Sequence, residues 1–339
     1  MPGVFSAKSR NLRQMTSKIY TFSMARLFAV VFLVLALGFG YFAYSRPENS
    51  VTSPVGKVFG ANAPKAIENT WFPKLSGGDV STDKLGIGAK SALLVDYDTG
   101  AVLYAKNPKD KLPAASTIKI MTALLALDAA KPPDLFTVSE YASKVGENSM
   151  GLTEGEQLTL SELLYGLVLV SGNDAAVTLA EGVSGSEDVF VSQMNQKTQA
   201  LGLSDTKFVN ASGLDEDDRE QFTTAYDLLT IARFLWEKYP QFRKVSATEH
   251  HFIDANSRHK AFDMYSDTNL LTTYPGVVGI KPGFTWNAGL CLVTIAENNG
   301  KRLLAVILGS DDRRGEMKEL LDFGFAKYGI VVSHPALDL

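Results

Sequence analysis

The sequence has few of the residues that bind metals or form disulfides. It contains one cysteine, Cys291, and four histidines in 339 residues. A single cysteine excludes an intramolecular disulfide framework, and so small a set of thiolate and imidazole ligands argues against a dedicated zinc site. We therefore expect no metal and no other cofactor.

Acidic residues are missing from the first 47 positions, which hold six Lys or Arg. Because the whole chain has 33 basic and 37 acidic residues, the remainder has 27 basic against 37 acidic residues. An acidic body of this kind lacks the clustered positive charge that a nucleic-acid interface needs. The sequence thus predicts no nucleic-acid partner.

Charged residues are also missing from one long apolar run, residues 27–45. A helix of this length spans roughly 28 Å at about 1.5 Å per residue, which is close to the hydrocarbon thickness of a bilayer. Residues 1–26 hold five basic residues, and only Arg46 follows the run closely. The positive-inside rule then predicts a single-pass anchor in the cell membrane, with a cytoplasmic tail over 1–26 and an extracytoplasmic body.

A cleaved signal peptide is the alternative interpretation of this run. The apolar part of a signal peptide is usually about 7–15 residues long and ends in small residues, whereas this run is longer and ends near Tyr41 and Tyr44. These features favour an uncleaved anchor, and both interpretations export the body. Residues 46–88 are rich in proline and small polar residues without a sustained period, so they are predicted to be an extracytoplasmic linker.

The remaining chain, residues 89–333, has strand patterns at both ends and helical patterns between them. Apolar runs at 91–97 and 101–105 flank a turn sequence, and a second pair flanks Glu297–Gly300, so each pair predicts a hairpin. A further strand is predicted over 276–285. Helices are predicted over 116–130, 161–170, 174–182, 186–201, 224–238 and 315–328.

This order of elements predicts an α+β fold, with a mainly antiparallel sheet flanked by helices and a helical lobe inserted between the strand groups. No long linker interrupts residues 89–333, so we interpret them as one domain. A cleft is expected between the lobe and the sheet.

Ser116 and Lys119 have the spacing of a nucleophile and its base. Positions i and i+3 share a helix face, so the amine can approach the hydroxyl. A serine needs a base to become a nucleophile, and a lysine serves as one only when burial or a nearby cation lowers its pKa. Taken alone, Ser-x-x-Lys is a common chance pattern, and a serine that opens a helix is usually a cap.

Two further short segments carry polar groups at element ends. Ser171-Gly172-Asn173 interrupts two apolar helices and can turn two polar side chains into a cleft. The segment Lys281–Thr285 ends a strand and offers a cation, a glycine for close approach and a hydroxyl. Each has an ordinary structural explanation, as a helix-to-helix turn and as a strand end. The acidic segment 215–220 lacks the glycine and spacing of a calcium loop, so it is interpreted as a solvated loop.

The three segments in this order match the signature of penicillin-binding proteins and serine β-lactamases. The chain resembles the serine-type D-alanyl-D-alanine carboxypeptidases, or low-molecular-weight penicillin-binding proteins, over roughly residues 89–330. The similarity extends beyond the motifs, to PAASTIKIMTALLAL, LTEGEQLTLSELLYGLVLVSGNDAAVTLAE, FVNASGLD, TTAYDL and GIKPGFTWNAGLCLVTIAENNGKRLLAVILG. It implies the β-lactamase-like fold and an enzyme that releases terminal D-alanine from peptidoglycan stem peptides and binds β-lactams covalently.

By this resemblance, the catalytic residues would be Ser116 as nucleophile, Lys119 as its base and Ser171 as a proton relay to the leaving amine. Substrate-binding roles would fall to a second group. Asn173 would bind the peptide backbone, Lys281 the region of the substrate carboxylate, and Gly283 would allow close substrate approach. The N–H groups of Ser116 and Phe284 would form the oxyanion hole, and Thr285 would add a hydroxyl to the carboxylate site.

The sequence departs from the family at one motif, where Lys-Thr-Gly reads Lys-Pro-Gly. Pro282 removes a hydroxyl, which puts carboxylate recognition in doubt, but on an edge strand it breaks no hydrogen bond of the sheet. Three alternatives stay open: a D,D-endopeptidase, a β-lactamase-like hydrolase, and a non-catalytic cell-wall binding relative. The β-lactamase pattern normally has Asp in the position of Gly172.

Overall fold

The computed structural model describes residues 66–75 and 85–334, which belong to one compact unit. The predicted tail over 1–26, the predicted anchor over 27–45 and most of the predicted linker over 46–88 lie outside these residues. Within the two described ranges, no helix combines the length and the apolar character that crossing a bilayer requires.

Strands from the two ends of the domain form one antiparallel sheet of five strands, in the order β2-β1-β9-β8-β7. Strand β1 of the first hairpin pairs with β9 of the last one, so residues more than 200 positions apart share the middle of the sheet. The predicted hairpins and the α+β fold are confirmed. The sheet strands are β1 Ser91–Asp96, β2 Val102–Lys106, β7 Val277–Thr285, β8 Gly289–Asn298 and β9 Lys301–Ser310.

Two short two-stranded sheets lie outside the main sheet. Strand β3 (Leu135–Thr137) pairs with β4 (Gln157–Thr159), and β5 (His250–Ile253) pairs with β6 (Phe262–Tyr265). The helices are α1 Lys119–Ala129, α2 Glu140–Lys144, α3 Leu160–Val168, α4 Asn173–Ser184, α5 Glu187–Ala200, α6 Ala225–Lys238, α7 Pro240–Ser246, α8 Leu270–Thr273 and α9 Arg313–Ala326.

Apolar residues alternate along the sheet, so each face packs against a different set of helices. Leu93 and Val95 face the core of the helical lobe, whereas Ala92 and Leu94 face the side that α9 covers. Helix α1 lies in the middle of the lobe, and nine of its eleven residues are buried. A central sheet with helices on both faces fixes α1 and β7 as two walls around a common cleft.

Helix starts follow capping chemistry in most places. Thr159 and Glu162 form a reciprocal capping box at α3, and Thr224 caps α6 by accepting from the backbone N–H of Asp227. The start predicted at residue 116 is wrong, because α1 begins at Lys119 after a 3-10 turn over Ala115–Ile118. Ala115 has a φ of 48°, outside the right-handed helical region, so the chain enters the helix through this tighter turn.

Candidate active site

Ser116 and Lys119 meet at the start of α1. Ser116 lies in the 3-10 turn, and Lys119 is the first residue of the helix that follows. Lys119 Nζ lies 2.8 Å from Ser116 Oγ, which is hydrogen-bonding distance. The Lys119 side chain is buried, so its amine is directed at the hydroxyl and away from solvent.

The amine of Lys119 has two other acceptors on separate segments. Asn173 Oδ1 accepts from Nζ at 2.7 Å, and the carbonyl oxygen of Ser212 accepts at 2.6 Å. Burial, followed by the charge of Lys281, lowers the Lys119 pKa well below its usual range, against an opposing effect of nearby carboxylates. A neutral amine keeps two N–H groups for Asn173 and Ser212 and has its lone pair left for Ser116 Oγ–H.

The turn between α3 and α4 directs Ser171 into the same cleft. Ser171 has a φ of 58°, so the left-handed residue of this turn is the serine and not Gly172. A Cβ on Gly172 would lie 2.8 Å from Asp174 Oδ1 and 3.1 Å from the Met150 nitrogen, so close packing explains that glycine. Ser171 Oγ is buried and has no hydrogen-bond partner among the described residues. An unpaired buried hydroxyl is costly, and this one belongs to a residue that lines the cleft together with Ser116 and Asn173.

Asp174 fixes the opposite side of this turn. Its carboxylate accepts from Ser149 Oγ at 2.6 Å and from the backbone N–H groups of Met150, Gly151 and Leu152 at 2.9 Å each. These bonds tie the loop after α2 to the first turn of α4. The loop that carries Glu147 and Asn148 therefore forms a wall of the cleft.

Strand β7 supplies the other wall from the edge of the sheet. Lys281 is buried, and its Nζ donates to the carbonyl oxygen of Pro282 at 3.2 Å. Burial lowers the Lys281 pKa to about 7, with a further lowering by Arg313 and an opposing effect of Asp267. Because β7 pairs only with β8 among the described strands, Pro282 can occupy its unpaired edge without loss of a sheet hydrogen bond.

Gly283 lets the strand approach Ser116 closely. A Cβ at this position would lie 3.0 Å from the backbone nitrogens of Ser116 and Thr117 and 3.1 Å from the carbonyl oxygen of Ala114. No side chain fits there without displacing the 3-10 turn. The next residue, Phe284, lines the cleft, and its N–H lies on the same strand edge as position 282.

Thr285 is engaged within the protein. Its hydroxyl donates to Asp215 Oδ1 at 3.0 Å and accepts from the Ala288 N–H at 3.1 Å. The single hydroxyl proton is therefore directed at Asp215 and away from the cleft. Asp215 belongs to the segment interpreted as a solvated loop, and it is exposed as that interpretation predicts. Its bond to Thr285, 70 positions away, gave no sequence signal.

Arg313 is a cleft residue that the sequence did not single out. Its Nη1 donates to the carbonyl oxygen of Gly283 at 2.8 Å, and burial lowers the pKa of its guanidinium. It opens α9 directly after the cap residue Asp312. The next residue, Arg314, is also an arginine, so the sequence alone does not show which of the two lines the cleft.

The predicted site residues converge on one cleft with a volume of 130 Å³. Lys119 and Lys281 lie buried behind its surface, and the other six predicted residues line it. Asp267, with Glu147, adds negative charge that the sequence did not reveal. The lining residues are Ser116, Glu147, Asn148, Ser171, Asn173, Leu214, Asp267, Pro282, Gly283, Phe284, Thr285 and Arg313.

A family model described as D-alanyl-D-alanine carboxypeptidase matches residues 79–312. The chain is 39% identical over 255 residues to the D-alanyl-D-alanine carboxypeptidase DacF from Bacillus subtilis, covering 73% of this chain and 64% of DacF. It is 33% identical over 253 residues to DacA from Escherichia coli, covering 70% of this chain and 61% of DacA. The match thus spans less than two thirds of either relative.

Solved structures share the fold over the same region. A DD-transpeptidase from Streptomyces superposes with a TM-score of 0.67 at 27% identity, covering 73% of this chain and 100% of that one. A D-alanyl-D-alanine carboxypeptidase from Mycobacterium tuberculosis gives a TM-score of 0.67 at 32% identity, covering 74% of this chain and 94% of that one. These neighbours confirm the predicted penicillin-binding-protein fold.

Proposed function

The chain belongs to the D-alanyl-D-alanine carboxypeptidase family of serine peptidases, and we propose that it removes the terminal D-alanine of peptidoglycan stem peptides through an acyl-enzyme. One observation carries this proposal. The Lys119 amine lies 2.8 Å from the Ser116 hydroxyl, in a buried site that disfavours its protonated form. This is the arrangement of a nucleophile beside its base.

Acylation would begin with transfer of the Ser116 Oγ proton to Lys119 Nζ. The oxygen would attack the carbonyl carbon of the penultimate D-alanine, and the carbonyl electrons would move onto its oxygen. The N–H groups of Ser116 and Phe284 would bind that oxyanion, and each such donor is worth about 3 kcal/mol in related mechanisms. Gly283, which precedes Phe284, lies close to the Ser116 nitrogen. This close approach supports a position from which the N–H groups of Ser116 and Phe284 could bind the same oxygen.

Breakdown of the tetrahedral intermediate needs a proton on the leaving amine. Ser171 Oγ, buried without a partner, would relay this proton, and the buried Lys281 would supply a positive charge beside it. The C–N bond would then break, releasing D-alanine and leaving an ester on Ser116. Water would then attack the ester carbonyl and give one proton to Lys119, which would pass it to Ser116 Oγ as the acyl–oxygen bond breaks. The shortened peptide would leave with a free carboxyl group, and Ser116 and Lys119 would return to their starting state.

Carboxylate recognition would differ from the pattern that the family resemblance implies. Pro282 offers no hydroxyl, and the Thr285 hydroxyl donates to Asp215. Arg313 lines the cleft and presents a guanidinium that is permanently charged at neutral pH. We infer that Arg313 is the main anchor of the substrate carboxylate in this chain, and Asn173 would bind the peptide backbone.

The location of the protein is part of the proposal. The apolar run over 27–45, with basic residues before it, supports a single-pass anchor in the cytoplasmic membrane and an extracytoplasmic catalytic domain. A peptidoglycan substrate lies on that side of the membrane. A cleaved, secreted form is the alternative.

Mass spectrometry of the purified protein tests the chemistry directly. Incubation with penicillin should add one penicilloyl group to the peptide that contains Ser116, and a peptide ending in D-Ala-D-Ala should lose one D-alanine. Ser116→Ala should abolish both results, whereas Ser192→Ala, on an exposed position of α5, should preserve them. Labelling that persists in Ser116→Ala would remove Ser116 from this role.

The same experiment separates the alternatives. Rapid release of the penicilloyl group would favour a β-lactamase, and cleavage of cross-linked dimers in preference to pentapeptides would favour an endopeptidase. Absence of both acylation and hydrolysis in the wild-type protein would leave the non-catalytic relative.

A further inference from the structure

An exposed pair of aromatic side chains lies where β7 ends. Trp286 is 94% exposed and Phe284 is 46% exposed, and their rings meet edge to face with centroids 5.5 Å apart. Fully exposed tryptophan is unusual, because its large apolar surface gains free energy from burial. The pair therefore stands out, since Phe284 lines the cleft and Trp286 directly follows the last residue of β7.

The backbone around Trp286 is held in place by one carboxylate. Asp215 Oδ1 accepts from Thr285 Oγ1 at 3.0 Å, and Asp215 Oδ2 accepts from the Asn287 N–H at 3.2 Å. These bonds fix the residues on both sides of Trp286 to the neighbouring loop. The Trp286 side chain buries little of its own surface although its backbone is fixed, so it has no evident packing role. This combination points to a ligand-binding role.

The proposed reaction places this pair upstream of the scissile bond. The substrate carboxylate would lie near Lys281 and Arg313, and the scissile carbonyl would lie at the N–H of Phe284. A substrate chain that pairs with the free edge of β7 then extends its preceding residues toward Trp286. This step rests on the proposed function.

The charge around the pair selects the chemistry of the ligand. Beyond Trp286, Asn287 lines a second cavity with a volume of 410 Å³. The loop over 215–220 forms one side of this cavity and carries five acidic residues and Arg219, and Lys111 is the other basic residue of the lining. An aromatic surface beside excess negative charge favours a cation, which aromatic faces attract through their quadrupole.

We propose that Phe284 and Trp286 form a subsite for an amine-bearing side chain of the stem peptide, on the residue that precedes D-Ala-D-Ala. The ammonium group contacts the indole face, and the carboxylates of the 215–220 loop complement its charge. The aliphatic part of the side chain covers the exposed ring of Phe284. The pair thus determines which stem peptides bind well.

Binding to the Ser116→Ala protein tests the subsite without requiring turnover. Calorimetry would compare three probes: acetyl-D-Ala-D-Ala, a tripeptide with Lys before D-Ala-D-Ala, and the same tripeptide with its side-chain amine acetylated. Adding Trp286→Ala should weaken the Lys tripeptide about fivefold, as expected for an exposed cation–π contact. It should leave the other two probes unchanged. Phe252→Ala, an exposed aromatic on β5, is the matched control.

Other results would overturn the subsite. An equal loss for all three probes would make Trp286 a structural residue, and no loss for any probe would remove it from binding. A loss that appears only when a sugar is attached to the peptide would assign the pair to the glycan chain. Acylation of Ser116 in the wild-type protein is measured separately, so failure of the subsite and failure of the proposed hydrolase are distinguishable.

Discussion

At the scale of single residues, the charge of Lys281 is expected to make the activity depend on pH. Burial lowers the Lys281 pKa to about 7, and Asp267 acts in the opposite direction by favouring the ammonium form. Below this pKa Lys281 is a cation, and above it the positive charge on Lys281 is lost. If that charge is needed, kcat/KM has an alkaline limb set by Lys281.

Asp267→Asn should move this alkaline limb to lower pH. The substitution removes the carboxylate that raises the Lys281 pKa, so the ammonium loses its proton at a lower pH than in the wild type. A pH profile of kcat/KM on a D-Ala-D-Ala peptide measures the shift. Asp254→Asn, at an exposed position outside the cleft, is the control and should leave the profile in place. An unmoved limb in Asp267→Asn would mean that another group sets it.

Arg313→Gln tests how this cleft recognises a carboxylate. If the guanidinium anchors the substrate, losing a charged hydrogen bond of about 1.5–3 kcal/mol should raise KM tenfold or more. Penicillin acylation should slow as well, because penicillin also carries a carboxylate. Arg314→Gln, on the adjacent residue outside the cleft lining, should change KM little. Similar KM values for the two variants would shift carboxylate binding to another group.

The sequence predicted the local pairs of the site well and the distant contacts poorly. Ser116 and Lys119 are three residues apart, so helical geometry alone brings them together. Asp215 and Arg313 act on Thr285 and Gly283 across 70 and 30 positions. Such contacts depend on how loops and helices pack against the sheet, which no short pattern encodes.

At the scale of elements, β7 and the 3-10 turn before α1 work as one unit. Gly283 is where the strand comes closest to the turn, since a Cβ added to Gly283 would point at the backbone nitrogens of Ser116 and Thr117. If the N–H groups of Ser116 and Phe284 bind the oxyanion as proposed, Gly283→Ala should reduce acylation by penicillin by about a hundredfold or more, because the loss of such a donor costs roughly 2.7–4 kcal/mol. The rate of penicillin labelling measures this loss.

Gly146→Ala is the matched control for that variant. An added Cβ at Gly146 meets no atom within 4 Å, and the position has no positive φ, so labelling should persist. Thermal unfolding of both variants should show similar midpoints if the effect at Gly283 is local. Normal labelling of Gly283→Ala would mean that the strand can move away from the nucleophile without loss.

Sequence patterns located most elements but misplaced the start of α1, which begins at Lys119 and not at Ser116. Hairpins are predictable because strand alternation and turn residues are local signals. The entry to α1 is different, because Ala115 adopts a φ of 48° that alanine rarely takes in isolation. The Ala115 carbonyl lies against Gly213 of the loop after α5, where an added Cβ would be 2.2 Å from the Ala115 oxygen. This boundary therefore involves a tertiary contact that no local pattern encodes.

At the scale of the whole molecule, the sheet joins the beginning and the end of the domain. β1 lies between β2 and β9, and the cleft draws on segments near residues 116, 171, 282 and 313. None of these segments forms a site alone. Any process that separates the first hairpin from the last should therefore abolish activity together with the fold.

The predicted membrane anchor over 27–45 concerns residues outside the described ranges. If residues 27–45 remain as a helix in the bilayer, the full-length protein should sediment with membranes, resist an alkaline wash and keep its intact mass of 36.8 kDa. Penicillin added outside intact spheroplasts should label it, because the positive-inside rule places the catalytic domain there.

A variant with Lys inserted at two positions within 27–45 should lose retention by the membrane, since charged residues in the bilayer centre are costly. A smaller, soluble and labelled protein would instead establish cleavage after the apolar run, and it would keep the catalytic proposal while replacing the anchor with a signal peptide.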